Sequence, residues 1–596
     1  MAHLLVIGSP SLDTIHVDGH TFHTVGGSGL YASMAAWRSG ALVTLFGARP
    51  DEVPEEIAVF ARKLEAWMGP VVPLDQIPRF EIAHDGAEAH YIHQSIHSET
   101  GIDPSALPAD LSRYDAVHIT AMGDPDSQMA LLRTCQQRNA NSISLGTGIV
   151  NTQTKPAQTR ALVQASDIFF MNEEEACAVF GSLDEVSAKA GQLIYITRAE
   201  KGALVLLGEH RATIPGYPAQ LVDPTGAGES FCGAALSYLT QGYHPVMTGM
   251  KAAFLAAREV EGISASFLLQ DDPLPELPLD KRVQINHAQV RKVSEIIKDL
   301  PEADPFSFVG DYLPPVGDPQ TLDYFFAVTL QQFSFWETRD GVYDHPLIAT
   351  IDGVQCKGSE YLFRAYMRPL REDRAFFTPD HQAKLSLDEL ADIFRSDDGL
   401  VPMPALELHL EQANQYGADM LALGLTPQTI IEQVLASDKP LHSFLKILDH
   451  LRGYNEDPIR KKANLLALIL SQRPERFFAF GEDETVAPVV DYHCMRSVLR
   501  IGLVEVLDEA LREKFAGRQL VAPDEEWAVR FAAYQLLEKV VRLTNKTIGG
   551  VDWFFFNYMR SHCPEMTEPV CSQCVLDGIC AKRKELFQPV IRTTYY

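Results

Sequence analysis

The chain changes pattern once, at Gln270-Asp-Asp-Pro-Leu-Pro-Glu-Leu-Pro278, and that change constrains its folding more than any other feature. Three prolines in six residues beside acidic side chains suit neither a helix interior nor a central strand, so 271–282 reads as a Pro-rich acidic linker. Before it, short apolar runs at 3–8, 41–47, 116–119, 167–170, 193–197 and 203–207 predict strands. They are mostly continuous rather than alternating, as expected of a sheet covered on both faces. Helical patterns at 29–39, 127–138 and 228–240 fall between them, which is βαβ grammar and predicts a mainly parallel sheet. Beyond the linker the pattern is almost wholly helical, at 283–298, 387–394, 405–415, 427–435, 441–451, 459–472, 489–511 and 527–545. The expected organisation is an α/β domain over 1–270, an all-α domain over 283–562, and a cysteine-bearing loop and tail over 563–596.

The 596 residues carry 51 Lys and Arg against 79 Asp and Glu, a net charge of −28. Affinity for nucleic acid comes largely from cationic contacts to phosphates, so this balance disfavours a nucleic-acid partner and favours a small molecule. The start, MAHLLVIGSPSLD, lacks the basic n-region and longer apolar h-region of a secretory signal. No apolar run reaches the roughly 18 residues of a membrane span. The reading is a cytoplasmic protein without a membrane partner, and a homo-oligomer is left open. Nine cysteines, an odd number, give no disulfide framework, yet four of them crowd the last 34 residues.

In the first domain, Val222-Asp-Pro-Thr-Gly-Ala-Gly-Glu-Ser-Phe231 sets glycines immediately before a helix. Backbone N–H groups of Gly226, Ala227 and Gly228 there suit an anion, and Glu229 at the mouth suits a proton acceptor for a hydroxyl. A glycine turn capped by Asp223 or Thr225 is the plainer alternative. The surroundings favour the first reading, because the segment resembles the D-T-T-G-A-G-D-x-F signature of the ribokinase (PfkB) family of sugar and nucleoside kinases. Four further elements follow that family's order. They are Asp13 after the first strand, Gly26-Gly27 in Val25-Gly-Gly-Ser-Gly-Leu-Tyr-Ala32, the N-x-x-E of Asn172–Glu175, and Val260-Glu-Gly262 after an Ala-rich helix.

The resemblance implies a ribokinase-like α/β fold, ATP and Mg2+. It implies Glu229 as catalytic base, an anion hole at Gly226–Gly228, and metal and phosphate handling by Asn172 and Glu175. It also implies substrate contacts from Asp13, Gly26 and Gly27. Glu229 stands where the family has Asp, Tyr31 where it usually has Asn, and Ala199 where a turn glycine is usual. Tyr31 either stacks on a base or fills the pocket.

In the second domain, Cys563-x7-Cys571-x2-Cys574-x5-Cys580 places four thiols within 18 residues, a set able to hold tetrahedral zinc or a cubane iron–sulfur cluster. The spacing resembles the iron–sulfur loop of endonuclease III-type glycosylases, which implies [4Fe–4S] rather than zinc. Lys582, Arg583 and Lys584 follow it and are positioned to offset the cluster's charge. Pro488-Val-Val-Asp-Tyr-His-Cys-Met-Arg496 resembles the segment that carries the catalytic Asp of those enzymes, here Asp491; the alternative is a plain helix N-cap. Their DNA-gripping L-P-G-V-G hairpin is absent from the sequence.

A closer similarity, over about 297–562, is to the queuosine-salvage family of helical N-glycosylases. It rests on Gln332-Phe-Ser-Phe-Trp336, Lys461-Lys-Ala-Asn-Leu-Leu466, Val490-Asp-Tyr-His-Cys494 and Val551-Asp-Trp-Phe-Phe-Phe556. That family hydrolyses queuosine 5′-phosphate to queuine and ribose 5-phosphate. The resemblance again implies Asp491 as the catalytic carboxylate and Asp552 as a substrate contact. Phe333, Phe335 and Trp336 offer faces for base stacking, with core packing as the alternative.

Together the halves imply a bifunctional salvage enzyme that phosphorylates a nucleoside such as queuosine and then cleaves its glycosidic bond. Two alternatives stand beside it. One is a sugar or nucleoside kinase with a regulatory helical domain; the other is an iron–sulfur nucleic-acid glycosylase with an inactive kinase-like module.

Overall fold

The computed structural model describes residues 2–17, 19–85, 88–96, 102–301, 306–339 and 342–596. The chain divides into two compact units, Met1–Leu277 and Pro278–Tyr596. The break falls inside the proline-rich stretch.

The first unit is built on a nine-stranded sheet. From one edge its order is His210–Ile214, Ala203–Leu207, Leu193–Thr197, Ile168–Asn172, Ile143–Gly146, Ala116–Ile119, His3–Ile7, Leu42–Phe46 and Ala66–Met68. All neighbours are parallel except at the first edge, where Leu193–Thr197, Ala203–Leu207 and His210–Ile214 run antiparallel. The six expected strands are all present. Ile143–Gly146, Ala66–Met68 and His210–Ile214 were not expected, the first two being too short to stand out as apolar runs and the third mixing His, Arg and Thr with its apolar residues.

A second sheet of four strands, in the order His20–Gly26, Ser11–Val17, Arg79–Asp85 and Glu88–Ser95, was also missed. Its strands mix His, Thr and Glu with apolar residues, so no continuous run marks them. It supplies Asp13 and Gly26, which lie on adjacent antiparallel strands. Against the main sheet, the helices Ser28–Arg38 and Ala227–Thr240 pack closely at Gly233, where a Cβ would lie 2.0 Å from the Ala32 carbonyl oxygen.

The second unit is mainly helical but not all-α. Three two-stranded sheets interrupt it: Val283–Ile285 with Val504–Val506, Trp336–Arg339 with Val342–Pro346, and Ile348–Ile351 with Val354–Lys357. The helix expected over 489–511 is two helices, Tyr492–Ile501 and Glu509–Ala516, because Gly502 at φ +82° ends the first in a left-handed turn. The helix expected from 283 begins instead at His287, where the Asn286 side chain accepts from the Gln289 N–H at 3.0 Å. Helices Thr321–Thr329 and Lys461–Gln472 meet in the core through Tyr324, Phe325, Phe326 and Leu466. Among the described residues no helix is long and apolar enough to cross a membrane.

Gly233→Ala should lower the unfolding free energy of the first unit by about 1–3 kcal/mol, the usual cost of forcing atoms into a packed core. Urea denaturation measures it, and a change below about 0.5 kcal/mol would mean the helix contact yields without strain.

Candidate active sites

In the first unit the glycine loop ends at Gly226, which N-caps the helix Ala227–Thr240 at φ +83°, with no side chain capping that end. Glycine is required there twice over: the backbone is left-handed, and a Cβ would lie 2.4 Å from the ring of Tyr31. Tyr31 is therefore the floor of the loop. It is buried, and its hydroxyl reaches Ser264 Oγ at 3.4 Å, so it offers no open face for stacking a base. The Ala227 N–H makes a long bond to the Pro224 carbonyl (3.4 Å), while Gly228 is exposed.

Asp223 holds the loop's shape. Its Oδ1 accepts from Thr225 N (3.0 Å), its Oδ2 accepts from Ser264 N (2.8 Å), and His84 Nε2 lies 3.2 Å from Oδ1. His84 and Ser264 escaped the sequence reading, since neither belongs to a motif.

Several carboxyl groups converge beneath this loop. Burial holds Glu229 above the ordinary carboxyl range. Asp13, 4% exposed, is pushed up to about 7 by burial, with the Asp223 charge adding to it. Its carboxyl occupies the space that a side chain at Gly26 would need, a Cβ there falling 2.0 Å from Oδ2. Gly27, at φ +92°, starts the helix that carries Tyr31. Glu259 is fully buried and neither of its oxygens has a hydrogen-bond partner among the described residues. Burial, then the charges of Asp223 and Glu229, push its carboxyl far up.

Asn172 and Glu175 engage each other first: Asn172 Oδ1 accepts from Glu175 N, and Glu175 Oε2 accepts from Asn172 N, both at 2.8 Å. This capping box starts the helix Glu173–Phe180. Glu175 is pushed up to about 8 by burial, with the Glu229 charge contributing. Among the described residues no group of three or more His, Cys, Asp or Glu is placed to hold a metal ion. Mg2+ fits such a setting when it is held by nucleotide phosphates, water and one or two carboxylates.

The second unit contains a cavity of about 470 Å3, within the range of small-molecule sites. Asp491, Asp552, Phe335 and Trp336 all line it. Asp491 is the N-cap that the sequence offered as the plainer alternative, its Oδ1 accepting from Cys494 N (3.0 Å) at the start of Tyr492–Ile501, and it also lines the cavity. Burial raises its pKa, and the nearby Lys461 charge opposes that rise. Lys461 is also in the cavity wall, its ammonium 3.5 Å from the Gln332 carbonyl and its pKa pushed down to about 8 by burial, against the pull of Asp491. As a motif letter Lys461 was visible; as a partner of Asp491 it was not.

Asp552 Oδ2 accepts from Val489 N at 2.9 Å, tying its helix to the segment before Asp491. Burial, with the Asp491 charge adding to it, pushes Asp552 up to about 7. Trp336 stacks on Tyr343 with ring centroids 5.7 Å apart, edge-on to Tyr492. Phe333 does not reach the cavity. It is fully buried and stacks on His409 at 4.2 Å, so its expected role in base stacking is corrected to core packing. Beyond Asp552 the helix widens into a π-turn over Phe554–Tyr558, a local irregularity frequent at functional sites, and brings Phe556, Asn557 and Arg560 to the cavity.

The four tail cysteines lie within electrostatic reach of one another: the Cys580 thiol, raised by burial, also feels Cys563, Cys574 and Cys571. Arg500 Nη1 sits 3.5 Å from Cys563 Sγ, and Lys582 N donates to Cys580 Sγ at 3.3 Å. The donors suit zinc or iron in kind, but their arrangement is not that of a closed metal site. Lys582, Arg583 and Lys584 pair with Asp577, Glu505 and Glu568, so carboxylates take the charge expected to offset a cluster.

Residues 98–270 match the pfkB family of carbohydrate kinases, and residues 313–574 match the queuosine salvage protein family. The first match begins after Asp13, Gly26, Gly27 and Tyr31, and the second ends at Cys574, short of Cys580. The chain is 28% identical over 271 residues to a cytidine kinase of Thermococcus kodakarensis, covering 44% of this chain and 96% of that one. It is 25% identical over 264 residues to a ribokinase of Bacillus subtilis, covering 41% of this chain and 87% of that one. It is also 22% identical over 315 residues to a queuosine 5′-phosphate N-glycosylase/hydrolase of Mus musculus, covering 48% of this chain and 90% of that one. The chain is accordingly a PfkB-type kinase domain fused to an N-glycosyl hydrolase domain of the queuosine-salvage type.

Proposed function

We propose that the two units act in sequence on one nucleoside, first phosphorylating its 5′-hydroxyl and then hydrolysing its N-glycosidic bond to give free base and ribose 5-phosphate. One observation carries this reading: a unit related to nucleoside kinases shares a chain with a unit related to an enzyme named for a nucleoside 5′-phosphate. The first makes the class of compound that the second consumes. Queuosine is the nucleoside proposed.

In the kinase step Glu229 accepts the proton of the attacking hydroxyl, and that oxygen bonds to the γ-phosphorus of ATP as the bond to ADP breaks. The uncapped helix start at Gly226, Ala227 and Gly228 supplies partial positive charge to the transferring group. Asp13, beside Gly26 and Gly27, orients the sugar hydroxyls, while Tyr31 supports the loop from below. Asn172 and Glu175 would help hold Mg2+, which would supply charge neutralisation to the phosphates.

In the hydrolytic step Asp491 stabilises positive charge developing at C1′ and takes a proton from the attacking water. The water oxygen bonds to C1′ as the C1′–N electron pair leaves with the base, whose nitrogen then takes up a proton from solvent. Lys461 favours the ionised form of Asp491, Trp336 and Phe335 wall the base, and Asp552 contacts its polar edge. The four tail cysteines are proposed to close around a [4Fe–4S] cluster on metal loading. An absorbance band near 400 nm with about four irons per chain supports that, and stoichiometric zinc overturns it.

With queuosine, ATP and Mg2+, Glu229→Gln should lower base release by about 100-fold or more. Supplying queuosine 5′-phosphate directly should restore it. Asp491→Asn should instead accumulate the phosphorylated nucleoside. Base release by Asp491→Asn at the wild-type rate would contradict the assignment.

Asp491 must be ionised and its pKa is raised, so hydrolysis should fade on acidification at a pH above the ordinary aspartate value of 3.8. It should also fade on the alkaline side near pH 8, as Lys461 loses its proton. Lys461→Met should abolish the alkaline limb and move the acid limb upward, because the Lys461 charge lowers the Asp491 pKa.

Trp336→Ala should cost about 1–3 kcal/mol of nucleotide binding, read as a higher KM. Phe333→Ala should instead cost about 3–5 kcal/mol of stability, with KM unchanged. The reverse pattern would return Phe333 to the binding site.

A further inference from the structure

One charged pair in the second unit is more deeply buried than any carboxylate that lines the cavity. Arg530 and Asp457, 0% and 1% exposed, meet through two parallel hydrogen bonds, Nη1 to Oδ1 at 2.9 Å and Nη2 to Oδ2 at 2.7 Å. Replacing such a pair with apolar side chains is often neutral or stabilising, so stability alone is a weak reason for it to be there. What distinguishes this pair is the backbone it holds.

The same Asp457 oxygens accept from the N–H groups of Ile459 (3.2 Å) and Lys461 (2.7 Å), fixing the first turn of the helix Lys461–Gln472. That helix starts from Arg460 in the left-handed region at φ +55°, so its entry needs an external tie. On the other side Arg530 Nε donates to the Val490 carbonyl at 3.2 Å, immediately before Asp491. The guanidinium also lies over the ring of Tyr596, 4.8 Å from its centroid, and Tyr596 donates its hydroxyl to Glu526 at 2.8 Å while lining the cavity. One ion pair thus fixes the backbone of Lys461, the backbone entering Asp491, and an aromatic wall.

We infer that Arg530 and Asp457 are positioning residues for glycosidic hydrolysis, setting the relative placement of Lys461 and Asp491 across the cavity. The inference rests on the hydrolytic role proposed for Asp491. Neither residue lines the cavity. Their effect on substrate runs through residues that do. Displacement of reacting groups by about 1 Å costs on the order of 100-fold in rate, so the consequence falls on kcat.

The ionisable groups that interact with the Asp491 charge are Lys461, Asp552, and Tyr492, Cys494 and Arg496 on the helix that Asp491 caps. Of these, Lys461 has its backbone tied to Asp457. Loosening the pair should therefore weaken the Lys461 effect and move the acid limb of the rate profile upward.

The test uses the full chain with queuosine 5′-phosphate as probe, which bypasses the kinase step, and compares wild type, Asp457→Asn, Arg530→Lys and Asp491→Asn. The expected result for Asp457→Asn and Arg530→Lys is a kcat lower by roughly 10- to 100-fold. KM should stay within about threefold, with the acid limb at higher pH. Arg530→Lys keeps the charge but loses the Nε bond to Val490, and it decides the matter if Asp457→Asn does not fold. A folded variant with lowered thermal midpoint but unchanged kcat and acid limb would overturn the inference, leaving a purely structural pair. A wild type that does not hydrolyse the probe, indistinguishable from Asp491→Asn, would overturn the proposed function and this inference with it.

Discussion

Both units place a carboxylate at the beginning of a helix, half-buried in the first and buried in the second, and the proposed chemistry depends on that arrangement. Glu229 sits in the first turn of Ala227–Thr240 and Asp491 caps Tyr492–Ile501. Burial alone drives such groups toward the neutral acid, a poor base and a poor partner for positive charge. The helix N-terminus works the other way, since its free N–H groups and partial positive charge favour the ionised form. In the second unit Lys461 reinforces this compensation. In the first, other carboxyls oppose it: the Glu229 charge raises both Glu175 and Glu259, so these groups resist simultaneous ionisation. A bound cation would relieve that conflict, which is in keeping with the Mg2+ proposed for this site.

Much of the architecture was legible because burial on both faces leaves continuous apolar strands such as His3–Ile7 and Leu193–Thr197. The four-stranded sheet bearing Asp13 was not, because His16, His20 and His23 break any apolar run. Helix ends carried signals that were passed over. Gly502 marks the stop within 489–511, and Asn286 marks the start after 283.

Side-chain identity proved a weaker guide than position. Tyr31 and Phe333 are aromatics beside motif residues, yet one floors a loop and the other packs on His409. Asn172 and Glu175 carry a family motif and at the same time close a capping box. Lys461, Glu259 and the Arg530–Asp457 pair acquire meaning only from what is buried beside them, and the linear sequence does not reveal that. The net charge of −28 remains in keeping with a small-molecule substrate. The basic residues after the cysteines are paired with carboxylates, leaving that stretch little free positive charge.

The central claim is that one chain phosphorylates a nucleoside and then cleaves the phosphorylated product. Incubating the purified wild-type protein with queuosine and γ-labelled ATP, and following the label, tests it directly. The account predicts label in ribose 5-phosphate in equal amount to the free base released. Free base formed without ATP, or labelled nucleotide that accumulates with no free base, would contradict it.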